Sequence, residues 1–214
     1  IEDWGDLDLV NEPSDLERIE RAVRDAVAED RTVISIGGDH AITWPIIRGH
    51  AERHRDLTLL LIDAHPDLYD ELDGRRDSHG CPFARILEEG LIRRYDAVGI
   101  RTLTPHQQEQ AKRFGARIHD MRSWPPALEL EGPLYLSVDL DGLDPSCAPG
   151  VAHPEPGGPT TRDVIELIQS IDVPIVGADV VELNPVLDVN GVTAKVGAKI
   201  LKEIVSAMVK TETE

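Results

Sequence analysis

Leu57-Thr58-Leu59-Leu60-Leu61-Ile62-Asp63-Ala64-His65-Pro66-Asp67 joins a nearly unbroken apolar run to a turn that holds two acids and a histidine. Apolar side chains at successive positions belong to a strand buried on both faces, and such strands occur in parallel sheets sandwiched between helices. At the polar end of the stretch, residues i and i+2 fall on one side, so Asp63, His65 and Asp67 can converge. Turns at the carboxyl ends of neighbouring parallel strands open on one crevice.

Two further segments repeat the pattern. Gly37-Gly38-Asp39-His40 follows the apolar run Thr32 to Ile36, and Asp139-Leu140-Asp141 follows Leu134 to Val138; Glu182 comes directly after the run Ile175 to Val181. One acidic turn after a strand is ordinary, since carboxylates cap helices and stabilise turns. Three in one chain, with histidines among them, point to a two-metal hydrolytic site in which carboxylates bridge and imidazoles bind terminally. Asp39 is the exception and reads as a structural acid.

Helical signals alternate with these runs. Ser14 and Glu17 form the pattern of a capping box behind Pro13, and Leu16, Ile19, Val23 and Val27 recur at helical spacing, so a helix is expected from Ser14 to about Glu29. Further helices are expected over Trp44 to Arg55, Phe83 to Glu89 and Pro105 to Phe114. Two more run from the Thr160 cap, with Val164, Leu167, Ile168 and Ile171 inward, and over Thr193 to Val209. Short strands are expected at Ala97 to Ile100 and Arg117 to His119, and a Pro/Gly-rich loop at Pro145 to Pro159. The fold class is therefore α/β, a three-layer sandwich on a mostly parallel sheet. No repeat or linker divides the 214 residues, which read as a single domain, 1–214.

A net charge of −18 repels nucleic acid and anionic membrane and attracts a small cation. There is no run of apolar residues long enough to span a bilayer and no secretory leader pattern, so a cytoplasmic protein is expected. The two cysteines, Cys81 and Cys147, have no framework spacing and read as reduced thiols. His50, His54, His106 and His119 read as surface residues without partners.

Several segments together resemble the ureohydrolases, the family that includes agmatinases and arginases: Gly37 to His40, Asp63 to Asp67, Ser137 to Pro145, Ala148 to Gly150 with Pro154 to Gly158, and Gly177 to Pro185. The tracts Asp63 to Asp70, Val98 to Arg101 and Pro149 to Val151 with His153 look closest to the branch with plant-type arginases and bacterial agmatinases. The resemblance implies an arginase-like sandwich and a cofactor of two Mn(II) per chain. His40, Asp63, Asp67 and Asp139 would hold one ion, and Asp63, His65, Asp139 and Asp141 the other, with Asp63 and Asp139 as bridges. His79, Glu182 and Asp67 are the implied catalytic groups. Glu182 would pair with the guanidinium of a small cationic guanidino substrate, and His79 would pass a proton to the departing amine. His153 lies in the loop that faces the substrate and is a candidate contact. The resemblance further implies a homo-oligomer, trimer or hexamer.

Relatives of this kind carry a strand, helix and Gly/Arg-rich loop ahead of the segment matching Trp4 to Leu7, so either the chain is a truncated one that lacks the amino-terminal strand and loop, or the sheet has an edge open to another subunit or segment. Leu68, Tyr69 and Asp70 stand where animal arginases place an Asn that binds the α-carboxylate. Asp70 would repel that carboxylate, which makes agmatine the expected substrate, with arginine and guanidinobutyrate as alternatives. Other classes fit less well. A one-zinc deacetylase does not need His40 and Asp67, and a regulatory paralogue would be expected to have lost a ligand. A phosphoesterase needs basic clamps, for which only Arg75, Arg76 and Arg101 are at hand.

Overall fold

The computed structural model describes residues 1–10 and 12–213. Strands β1 (Val33–Ile36), β2 (Thr58–Ile62), β3 (Arg94–Ile100), β4 (Arg117–Asp120), β5 (Leu134–Asp139) and β6 (Ile175–Val181) form one sheet. Their order is β1-β6-β5-β2-β3-β4, and all neighbours are parallel. Helices α1 (Ser14–Ala28), α2 (Thr43–Ala51), α3 (Pro82–Glu88), α4 (Pro105–Phe114), α5 (Thr161–Gln169) and α6 (Val192–Thr213) cover it. The expected elements all form, although α2 stops short of Arg55 and α6 runs past Val209.

The period of two along β2 divides the core. Leu60 and Ile62 face one layer with Leu136, Val138, Val164 and Ile168 of α5, and Ile200 and Ile204 of α6. Leu59 and Leu61 face the other, with Ile19 and Val23 of α1, Ile46 and Ile47 of α2, and Phe83 and Ile86 of α3. This is the three-layer α/β sandwich that the apolar runs predict.

The direction in which strands are added reverses between the parallel neighbours β2 and β5. From β2 the chain steps outward to β3 and β4; from β5 it steps the opposite way to β6. Right-handed crossovers then place α3 and α5 on opposite faces and leave a crevice at the carboxyl tips of β2 and β5. The Asp63 and Asp139 turns sit at those two tips.

Two local readings need correction. α1 begins at Ser14, but Pro13 occupies the cap position and no side chain caps the helix. Asp15 instead turns back, its Oδ2 accepting from the N–H groups of Val10 (2.8 Å) and Glu12 (3.1 Å). The histidines are also more engaged than expected. His119 meets the buried Asp96 at 3.0 Å, and His106 accepts from the Asp70 N–H (3.1 Å) while stacking on Tyr69.

His50 is fully buried against Tyr135 and the Gly177 backbone, and neither ring nitrogen has a hydrogen-bond partner among the described residues. Burial, helped by the neighbouring His54, lowers its pKa to about 4. An unfolded chain takes up this proton near pH 6.5 and the folded one only near pH 4. Stability present above pH 6.5 is therefore lost as pH falls toward 4, by about 3 kcal/mol. Urea denaturation of the wild type and of His50→Leu at pH 7 and 4.5 should show this acid-dependent loss shrinking by roughly that amount in the variant.

Among the described residues no helix is long and apolar enough to cross a membrane.

Candidate active site

At the tip of β2 the chain leaves the sheet with Asp63 Oδ1 accepting from the His65 N–H at 2.7 Å, and at the tip of β5 Asp139 Oδ1 accepts from the Asp141 N–H at 2.7 Å. These short turns place the second acid or histidine of each motif beside the first. The two turns are also locked together. A Cβ on Gly142 would lie 2.8 Å from Asp63 Cα and 2.9 Å from Asp63 N, so only glycine lets the β5 turn pass the β2 backbone. Gly142→Ala is expected to cost about 1–3 kcal/mol by overpacking and to spread the two acid turns. A fall in melting temperature together with weaker metal uptake in equilibrium dialysis would show both effects.

His40 comes from a turn of 3-10 helix after β1, capped by Asp39 Oδ1 on the Ala41 N–H (3.0 Å), which gives Asp39 its expected structural role. The His40 Nδ1 atom lies 3.0 Å from Asp139 Oδ2, 3.1 Å from Asp67 Oδ2 and 3.4 Å from Asp63 Oδ2. His65 Nδ1 lies 3.3 Å from Asp141 Oδ2 and 3.5 Å from Asp63 Oδ1. Asp63 thus turns one oxygen toward each imidazole. Two groups have the spacing of metal ligands: His40, Asp63, Asp67 and Asp139, and Asp63, His65 and Asp141. The first is the expected set. The second lacks Asp139, so Asp63 alone is shared between the two.

The donor set suits divalent cations. His40, Asp63, Asp139 and Asp141 are nearly inaccessible, and the His40 Nδ1 and Asp63 Oδ2 atoms have no hydrogen-bond partner among the described residues. Burial, with the charges of Asp141 and Asp67, pushes the Asp63 carboxyl up to about 7. Burial works against a charged His65 ring, yet the Asp141 and Asp63 carboxylates outweigh it and hold the imidazole up to about 11. Acids crowded this closely call for positive charge between them.

Beneath the ligands a chain of hydrogen bonds sets the tautomer of His40. The Ser137 hydroxyl donates to Asp179 Oδ1 (2.6 Å), so its oxygen can accept the Nε2–H of His40 (2.9 Å), which leaves Nδ1 as the lone-pair nitrogen facing the carboxylates. The Thr43 and Tyr135 hydroxyls both donate to Asp179 Oδ2 at 2.8 Å. This set was not singled out from the sequence, although an acid inside the apolar strand Gly177-Ala178-Asp179-Val180-Val181 is a visible signal.

His65, Asp67, Asp139 and Asp141 of the cluster line a cleft of about 160 Å³. Glu182, His79 and His153 line it, so each named candidate reaches the same space. Glu182 holds a left-handed backbone (φ +68°), and its Oε1 accepts the His40 N–H at 2.8 Å. Burial raises its pKa. The His79 and His153 rings stack with centroids 5.0 Å apart. None of the three arginines weighed as phosphate clamps lines this cleft. Arg75 pairs with Asp77 and Arg76 with Asp70 and Glu88. Arg101 donates to five backbone carbonyls, those of Gly99, Asp141, Gly142, Leu143 and Glu155.

A parallel sheet with a buried His/Asp cluster at its switch point, opening on a cleft, has the layout of a metal-dependent hydrolase. The chain belongs to the arginase family, whose model matches residues 1–206. It is 44% identical over 187 residues to the mitochondrial arginase of Medicago truncatula, covering 82% of this chain and 55% of that one. Against the mitochondrial agmatinase of Gallus gallus it is 36% identical, covering 100% and 68%. Among solved structures, the Medicago truncatula arginase superposes with a TM-score of 0.88 at 40% identity, over 93% of this chain and 66% of that one. The proclavaminate amidino hydrolase of Streptomyces clavuligerus gives 0.89 at 29%, over 97% and 75%. The chain spans 54 to 60% of the length of the plant arginases it matches.

Proposed function

We propose that this protein hydrolyses a guanidino compound to urea and an amine, with two Mn(II) ions held by His40, Asp63, Asp67, Asp139, His65 and Asp141. The observation that carries this reading is the pair of ligand groups sharing the Asp63 carboxylate; family membership supports it. When bound, divalent ions supply Lewis-acid activation of water at neutral pH. The remaining roles belong to the chain itself. Glu182 has one oxygen tied to the His40 N–H, which fixes the carboxylate and leaves the other oxygen for a guanidinium N–H. That contact presents the guanidinium carbon to the metal floor in a fixed orientation. His79, in the cleft wall, donates the proton that lets the amine depart.

The expectation of agmatine as substrate rests on the acidic protein, on the lack of a basic partner for a carboxylate and on Asp70 facing the substrate; the last of these supports is lost. Asp70 lies outside the cleft lining. Its Oδ1 accepts from Arg85 Nη2 and Arg76 Nη2, both at 2.9 Å, and these cations lower its pKa, Arg85 foremost. Agmatine and arginine therefore both enter the test. The test is a urea-release screen over guanidino compounds with added Mn(II), run beside elemental analysis. Urea from at least one compound, with two ions per chain, is expected. No urea from any compound at full metal loading overturns the reading.

A further inference from the structure

One polar group in the cleft has no part in this chemistry. Gln107 is the third residue of α4 and only 2% exposed, yet it lines the cleft. Its Oε1 accepts from the Thr104 N–H (3.2 Å) and from the Thr104 hydroxyl (3.1 Å), closing a capping box. A backbone N–H can only donate, so this contact fixes which end of the amide is oxygen and turns the NH2 away from the cap. No hydrogen bond engages that NH2 among the described residues, and it is not one of the sealed-off orphan atoms. Neither bonded nor sealed off, it is open to solvent, and the cleft is the space that Gln107 lines.

The surroundings share its character. Thr102 lines the same cleft, and α4 points the positive end of its peptide dipoles toward its own first turn. Apart from the clustered acids and Glu182, the lining has no carboxylate; its other polar members are His65, Tyr69, His79, Thr102, Gln107 and His153. An ammonium carries three donors and no acceptor, and would meet further donors at Gln107.

We propose that Gln107 is a specificity-determining residue that receives the carboxylate of a guanidino acid, so that this chain selects guanidino acids over agmatine. The inference rests on the guanidino-hydrolase reading. With the guanidinium on Glu182, the far end of the substrate would be received by Gln107 and Thr102, which line the same cleft; the amide NH2 suits a carboxylate and offers an ammonium no acceptor, while the Thr102 hydroxyl serves either.

The test uses 4-guanidinobutyrate and agmatine, which differ chiefly in ending in a carboxylate or an ammonium, on the Mn(II)-equilibrated chain and its Gln107→Glu variant. Glutamate at this position can close the same capping box and presents an oxygen where the NH2 stood. The wild type should favour 4-guanidinobutyrate in kcat/KM by about tenfold, and Gln107→Glu should reverse the order, a swing of roughly a hundredfold. A second measurement needs no turnover. Calorimetric titration with 4-aminobutyrate and putrescine, which are not consumed, should show the same preference and the same reversal. A wild type that prefers agmatine and putrescine, or a ratio unchanged by Gln107→Glu, overturns the proposal. Absence of urea from every compound counts against the hydrolytic reading instead, and the binding order then decides the role of Gln107.

Discussion

Asp63→Asn should abolish urea release to within the assay limit, a loss on the order of a thousandfold or more, because one substitution damages both ligand groups. Asp63 is the only residue common to the two clusters, with one oxygen toward His40 and the other toward His65. An amide keeps the shape but gives up the charge and turns an NH2 toward one of the imidazoles. Metal content should fall from two ions, whereas Asp67→Ala should remove only the ion of the His40 group and leave about one. Elemental analysis and urea release test the two parts together. An Asp63→Asn chain that retains two ions and normal turnover would sink the shared-ligand arrangement.

The second large effect belongs to His79. His79→Ala is expected to lower kcat by roughly a hundredfold or more, as loss of a positioned proton donor does, with both ions retained. His79 is not a member of either ligand group, so metal content separates its role from theirs. Its stacking partner provides the control. His153→Ala removes the ring 5.0 Å away and should change KM more than kcat. Equal losses of kcat in the two variants would count against His79 as the donor.

The fold and the floor of the site were legible because both are written locally. Leu57 to Ile62 announces a strand buried on two faces, and the turn after it carries its candidate ligands within five residues. What was missed depends on where distant segments land. Nothing near His50 says that Tyr135 and Gly177 will enclose it, and the i, i+4 spacing to His54 reads equally well as a wet helix face. Asp70 sits beside the ligand turn in sequence, but Arg85 draws its side chain out of the cleft. Ser14 and Glu17 match a capping box, yet no side chain caps the helix, and Asp15 reaches back to the N–H groups of Val10 and Glu12 ahead of it. The opposite case is Thr104 with Gln107, a capping pattern visible in the sequence and passed over, although it fixes a donor in the cleft wall.

Arg101 shows how far one side chain can govern a segment with little ladder of its own. Its guanidinium serves five carbonyls, gathered from the end of β3, the turn after β5 and the loop that carries His153. A flat group with five N–H donors in a fixed fork can do this; an ammonium with three cannot. Position 101 therefore does not tolerate exchange within its own charge class. A lysine there would keep the electrostatics and forfeit the architecture, leaving the His153 loop to the anchors of Gly150 on Thr193 and Asn184 and of Gly157 on Asp144.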